Sequence, residues 1–223
     1  MKSGPVALPL TRRVRLVRSD AVQRLLAFAA LIVIIIVFSL ASPNFLQFDN
    51  VVGILLATTV TGILALGVTF VIITGGIDLS IGTVMTLSAV MTGTFATVWQ
   101  LPLPLAIAAG LATGGIAGLV NGVLIARLKI PSFIATLGML NVAKGLALVI
   151  SGLKPIYFND TPDFNRAAMG SVVGSAIPGL DIPNITIVFL LAAIIASLVL
   201  SKTILGQYTL RLGATRRRRA SPA

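Results

Sequence analysis

The 223-residue chain contains no cysteine, no histidine and no glutamate. Those absences remove disulfides, thiol nucleophiles, the usual zinc ligands and any histidine-based triad. The six acidic residues are all aspartates (Asp20, Asp49, Asp78, Asp160, Asp163 and Asp181), and most fall in predicted connections, where turns and helix caps favour that side chain. Paired-carboxylate hydrolysis has little to work with, so no catalytic residue, metal site or cofactor is expected. Charge is scarce as well: 10% of residues are charged and 57% are hydrophobic. At that balance a soluble globule lacks the polar material to cover its exterior.

What the chain does have is long apolar runs and a mean hydropathy of +1.04. A hydrocarbon core about 30 Å thick needs roughly 20 apolar helical residues. Leu25 to Ala41, Val51 to Thr74, Ile81 to Trp99, Pro104 to Ala126, Phe133 to Ser151 and Ile185 to Leu200 approach or meet that length. The predicted fold is an all-α, polytopic helical membrane protein with about six transmembrane helices. The first run follows Arg12, Arg13, Arg15, Arg18 and Arg24 but leads into Ala-Ser-Pro-Asn-Phe and further spans, so it predicts an uncleaved first span rather than a secretory signal.

The net charge of +11 sits in blocks beside the apolar runs with little aromatic interleaving, which argues against nucleic acid and for topology. Basic residues collect on the cytoplasmic side of short membrane loops. Lys2 and the five arginines precede the first span, none lies in Ser42 to Asn50, Arg127 and Lys129 follow the fourth span, and Lys202, Arg211 and Arg216 to Arg219 follow the sixth. Six crossings then leave both ends in the cytoplasm, and the Pro- and Gly-rich connection Gly152 to Pro183 outside, with room for a short interfacial helix. The expected division is a basic segment 1–24, a transmembrane region 25–201 and a basic tail 202–223.

Inside this greasy frame a few positions stand out. Gly75-Gly76-Ile77-Asp78-Leu79-Ser80-Ile81-Gly82 is too glycine-rich for continuous helix, and a break is expected after the second span. Irregular backbone at membrane depth needs protein or water to satisfy its amides, and broken helices of this kind tend to line substrate pathways. Asp78 and Ser80 suit either a cap on the next helix or a role in the pathway or its gating. Gly110, Gly114, Gly118 and Gly122 recur at every fourth position and mark close helix packing, within one subunit or across a dimer seam. Asn121 and Asn141 are polar in apolar surroundings. Lys144 near a helix centre costs roughly 2.5 to 3.5 kcal/mol to insert unless it snorkels to an interface or lines a wet pathway. The chain has no G-x-x-x-x-G-K-[ST] sequence, so ATP use requires a separate subunit.

The runs GGIDLSIGTVMTLSAVMTG (Gly75 to Gly93) and GLVNGVLIARLKIPSFIATLGMLNVAKGLALVISG (Gly118 to Gly152) resemble the permease subunits of bacterial ABC importers for ribose and related monosaccharides. Branched-chain amino-acid permeases are more distant relatives. The resemblance implies an inner-membrane subunit that pairs with a second permease copy or paralogue, receives ligand from a periplasmic sugar-binding protein and is driven by cytoplasmic ABC ATPase subunits. It places Gly75, Gly76, Asp78 and Ser80 at the break, and Asn121 and Gly122 before the turn Arg127 to Pro131. Near Gly213 the sequence departs from the family's ATPase-docking segment and becomes Arg216-Arg217-Arg218-Arg219-Ala220-Ser221-Pro222-Ala223. The expectation drawn from that departure is a truncated or frame-shifted permease, with coupling to ATP in doubt. The rival readings are a transport-inactive fragment that associates with a full-length permease, a branched-chain amino-acid type permease, and an ion-coupled secondary carrier.

Overall fold

The computed structural model describes residues 20–158, 161–177, 179 and 181–220, and for residues 20, 21, 162 and 214–220 the backbone only. Lys2, Arg12, Arg13, Arg15, Arg18 and Asp160 lie outside the described residues, as do the side chains of Arg216 to Arg219. Among the described residues every regular element is a helix.

Two compact units divide the chain, the first ending at Gly53 and the second beginning at Ile54. In the first, α1 (Asp20–Ala41) ends in a turn where Phe45 stacks on Phe38 with ring centroids 5.6 Å apart, and the Asn50 amide donates to the Phe45 carbonyl at 2.7 Å. Leucines, isoleucines, valines and phenylalanines face outward all round α1. A helix that is apolar all round suits lipid or an apolar helical neighbour on any side. The long helix α2 (Phe48–Ile73) begins in this unit and runs into the second.

The second unit adds α3 (Ile81–Gly93), which ends in a π-helical turn Thr94–Val98, then α4 (Leu103–Ala126), α5 (Ser132–Ile150), two short helices α6 (Pro162–Met169) and α7 (Val172–Ala176), α8 (Asn184–Lys202) and α9 (Ile204–Ala220). Pro102, Pro131 and Pro183 stand at the N-cap positions of α4, α5 and α8 with φ of −50°, −53° and −59°. The ring fixes a φ that feeds a helix, and the missing N–H costs nothing where helix amides are unpaired anyway.

α3, α4 and α5 pack together, and between α3 and α5 Leu87, Ala143 and Ala147 form a buried cluster with Val84, Val90 and Met91 against it. Most other buried positions are small or polar: Ala106, Gly110, Ala117 and Asn121 of α4, and Ala135 and Thr136 of α5. The large aliphatic residues face out. Water would favour the reverse arrangement, whereas lipid leaves helix association to close packing of small residues. α2 meets α8 in the same way. Thr59 faces Thr186 with hydroxyls 3.5 Å apart, and a Cβ on Gly62 would lie 2.6 Å from the Phe189 ring.

Among the described residues six helices are long and apolar enough to cross a membrane: Val22–Ala41, Phe48–Ile73, Ile81–Val98, Leu103–Ala126, Ser132–Ile150 and Asn184–Lys202. Each end lies within about three residues of the bound expected from hydropathy, and the chain is an all-α polytopic membrane protein. The long connection holds two short helices, α6 and α7, where one interfacial helix was expected.

Candidate functional site: a clamped break between two spans

α2 stops through its own backbone. Gly75 adopts φ 71°, its N–H donates to the Ile72 carbonyl at 2.9 Å, and the Gly76 N–H reaches back to the Val71 carbonyl at 2.9 Å. These are the two bonds of a Schellman stop, whose left-handed residue is usually glycine. A Cβ on Gly76 would lie 3.1 Å from Val71 Cγ1, so this second glycine also keeps the turn tight.

The chain that follows is held by side chains from distant helices. The Ile77 N–H donates to Ser132 Oγ at 3.2 Å, and Thr136 Oγ1 lies 3.3 Å from the Ile77 carbonyl while also donating to Ser132 O at 2.8 Å. The first turn of α5 thus accepts from the break at the Ile77 N–H and lies against the same residue's C=O. Asp78 Oδ1 accepts from the Ser80 N–H at 2.8 Å and from the Ser80 hydroxyl at 2.7 Å. With its proton given to Asp78, Ser80 Oγ accepts from Asn121 Nδ2 at 3.1 Å. Ser80 is 1% exposed and Asn121 7%. The result is a directed chain, amide to hydroxyl to carboxylate, that ties α4 to the entrance of α3. Asn121 Oδ1 is buried without a partner, so this amide has one satisfied and one unsatisfied end.

Ser80 occupies the N-cap position of α3, yet its side chain makes no capping hydrogen bond. The expected cap is therefore not formed by Ser80, because Asp78 and Asn121 occupy its hydroxyl. Asp78 accepts from the N-cap residue's own amide rather than from one inside the helix, though its charge remains favourably placed near the positive end of α3.

The break lies at the helix ends, beside the start of α5, rather than partway along a span. α2 has 26 residues, about 39 Å at 1.5 Å per residue, so it can cross a bilayer before the break begins. Gly75, Gly76, Asp78, Ser80 and Asn121 come together there. Asn141 and Lys144 do not. Both are exposed on α5 away from Ala143 and Ala147, and Asn141 bonds only to its own helix, donating to the Leu137 carbonyl at 2.9 Å. The glycine ladder of α4 also divides. A Cβ on Gly110 would strike Thr92 Oγ1 and lie 2.9 Å from the Ser88 carbonyl, and one on Gly114 would lie 3.1 Å from Ser88 Oγ, whereas Gly118 and Gly122 have nothing within 4 Å.

Sequence reasoning missed Ser132 and Thr136. Their only local signal is a pair of hydroxyl residues one helical turn apart, directly after Pro131. It also missed a cavity of about 690 Å³ beside the break, lined by Thr74, Gly76, Lys129, Ser132 and Leu212 among others. Among the described residues no cluster of metal-ligating side chains occurs.

Residues 50–217 match the family described as branched-chain amino acid transport system / permease component. The ribose import permease protein of Haemophilus influenzae is 36% identical over 190 residues, covering 84% of this chain and 56% of the relative. The galactofuranose transporter permease protein of Escherichia coli is 36% identical over 192 residues (82% and 54%), and the L-arabinose ABC transporter permease protein of Azospirillum brasilense 35% over 182 residues (82% and 51%). The chain spans little more than half the length of these relatives. No solved structure matches it.

Proposed function

Because the chain belongs to the family described as branched-chain amino acid transport system / permease component, we propose that it acts as a membrane-spanning permease subunit of an ATP-driven monosaccharide importer and forms part of the translocation pathway. The observation that carries this reading is the clamped break. A glycine stop, a carboxylate joined to the buried Ser80 hydroxyl and Asn121 amide, and an adjoining cavity supply polar groups and a hinge at the end of the second apolar span. Sugars rather than amino acids are favoured because the matched permeases named above carry ribose, galactofuranose and arabinose in their names.

In the working assembly the chain pairs with a second permease subunit in the bacterial inner membrane, a periplasmic sugar-binding protein delivers ligand from outside, and cytoplasmic ATPase subunits act from inside. The basic residues near Lys129 and Lys202 support a cytoplasmic position for the α4–α5 turn and the start of α9, and hence for the break. α9 has a route to that break. Gly213 abuts the Ile73 carbonyl, two residues before Gly75, so closely that a Cβ would collide with it. A displacement of α9 therefore presses on the end of α2. The bonds that hold the break are each worth about 0.5 to 1.5 kcal/mol net, and more where Asp78 accepts, a range in which a two-state rearrangement can be driven by ligand and nucleotide together.

The test is uptake in proteoliposomes that contain the chain with its ATPase, its binding protein and a second permease subunit. ATP-dependent accumulation of a labelled pentose, undiminished by excess leucine, is expected. Accumulation of leucine instead would support the amino-acid reading that the family description favours. ATP-independent uptake abolished by an uncoupler would assign a secondary carrier, and association with another permease without any uptake would assign an accessory role.

A further inference from the structure

α3 ends as unusually as it begins. Its last turn, Thr94–Val98, is π-helical: the Trp99 N–H donates to the Thr94 carbonyl at 3.1 Å, five residues back, and Thr94 Oγ1 is buried without a partner. Such turns are costly and concentrate at functional sites. Gln100, directly after it, is a non-glycine residue in the left-handed region with φ 48°. These two irregularities border a cavity of about 370 Å³, closed on its other side by the start of α6. That volume is within the range of small-molecule clefts. The 18 residues from Ile81 to Val98 span about 27 Å, so this cavity is one membrane thickness away from the clamped break.

The lining has a consistent hydrogen-bond polarity. Thr97 gives its proton to the Gly93 carbonyl at 2.8 Å and Thr161 gives its own to the Phe158 carbonyl at 3.0 Å, so both offer only lone pairs to an occupant. The Asp163 carboxylate has no ion pair among the described residues and adds acceptors alone; the Gln100 amide offers one acceptor and the side-chain donors. Phe164 contributes an apolar ring, stacked on Phe158 with centroids 3.9 Å apart. Among the described residues no lysine or arginine lines the space. A surplus of acceptors with no cation disfavours phosphates and carboxylates and suits a molecule rich in hydrogen-bond donors with an apolar face for the ring; hydroxyl donors on a neutral ligand meet both needs.

We infer that the cavity between the π-turn of α3 and α6 is a binding site for a neutral polyol of monosaccharide size, distinct from the break. Its ligand class rests on the transport reading given above, while its location and polarity do not. Under the loop-charge topology it opens on the external side, where a sugar released from a binding protein would first meet the subunit.

Trp99, the only tryptophan, provides a reporter: it adjoins Gln100 and meets the Phe95 ring edge-on at 4.6 Å. The full chain in lipid nanodiscs is titrated with D-ribose, D-galactose, ribose 5-phosphate and tetramethylammonium while Trp99 emission is recorded. A saturable change with the neutral sugars and none with the phosphate is expected. Asp163→Ala, an exposed substitution whose folding is checked by helical circular dichroism, should weaken the response about tenfold, and Gln100→Ala should weaken it less. Absence of any saturable sugar response, a response indifferent to both substitutions, or a stronger response to tetramethylammonium would overturn the assignment. ATP-driven uptake measured in parallel separates the two readings. Ribose uptake with a silent Trp99 removes the cavity and keeps the transport role; a Trp99 response without uptake removes the transport role and keeps the cavity.

Discussion

Gly110 and Gly122 lie on the same stripe of α4, three steps of four residues apart, and their surroundings differ completely. At Gly110 the backbone of α3 is so near that a single added carbon would strike Thr92 and crowd the Ser88 carbonyl; at Gly122 that carbon would meet open space. α5 repeats the contrast, with Ala143 and Ala147 buried against α3 while Asn141 and Lys144 face outward. Periodic small residues show which side of a helix accepts a neighbour. Whether a neighbour from the same chain is present depends on where α3 ends up.

The largest effect is expected at the inner face. Gly110→Val should destabilise the chain in detergent by about 3 kcal/mol or more through overpacking against the α3 backbone, with Gly118→Val as the matched control that leaves unfolding nearly unchanged. Equal losses in the two would erase the distinction. Next comes the break, where Asp78→Ala removes the acceptor for both the Ser80 amide and hydroxyl. About 1.5 to 3 kcal/mol should be lost, while Asp78→Asn, which keeps an oxygen, should retain much of it in the same denaturation assay. Asn121→Ala should cost about 0.6 to 1.7 kcal/mol, since hydrogen bonds between helices in lipid are modest and the substitution also deletes an unsatisfied buried oxygen. The smallest shift is expected for Lys144→Leu, within about 0.5 kcal/mol in unfolding of the isolated chain, because the lysine touches nothing in the inner packing. A large loss there would place Lys144 in a contact the outer face does not show.

The spans were legible because a fixed rise per residue converts apolar length directly into distance, and the stop after α2 was legible because only glycine sits easily at the left-handed position Gly75 takes. Asn121 stood out as polar among apolar neighbours, but its partner Ser80 is 41 residues away and no local pattern joins them. Ser132 and Thr136 reach the break across 55 and 59 residues, again through tertiary proximity alone. Asn141 and Lys144 were named for the pathway as polar residues among apolar ones; they lie exposed on α5, farther along the helix than Ser132 and Thr136, which meet the break. The π-turn left no mark at all, since one extra residue in a helical turn does not disturb an apolar run.

The natural absence of cysteine makes the most direct measurement simple. Lys129 in the α4–α5 turn and Lys154 after α5 are both exposed, at opposite ends of one span. With single cysteines at these positions, a membrane-impermeant maleimide applied to intact spheroplasts should label the Lys154→Cys chain at once and the Lys129→Cys chain only after lysis. Labelling of both from the same side would contradict the six-span threading and, with it, the placement of the clamped break at the cytoplasmic face.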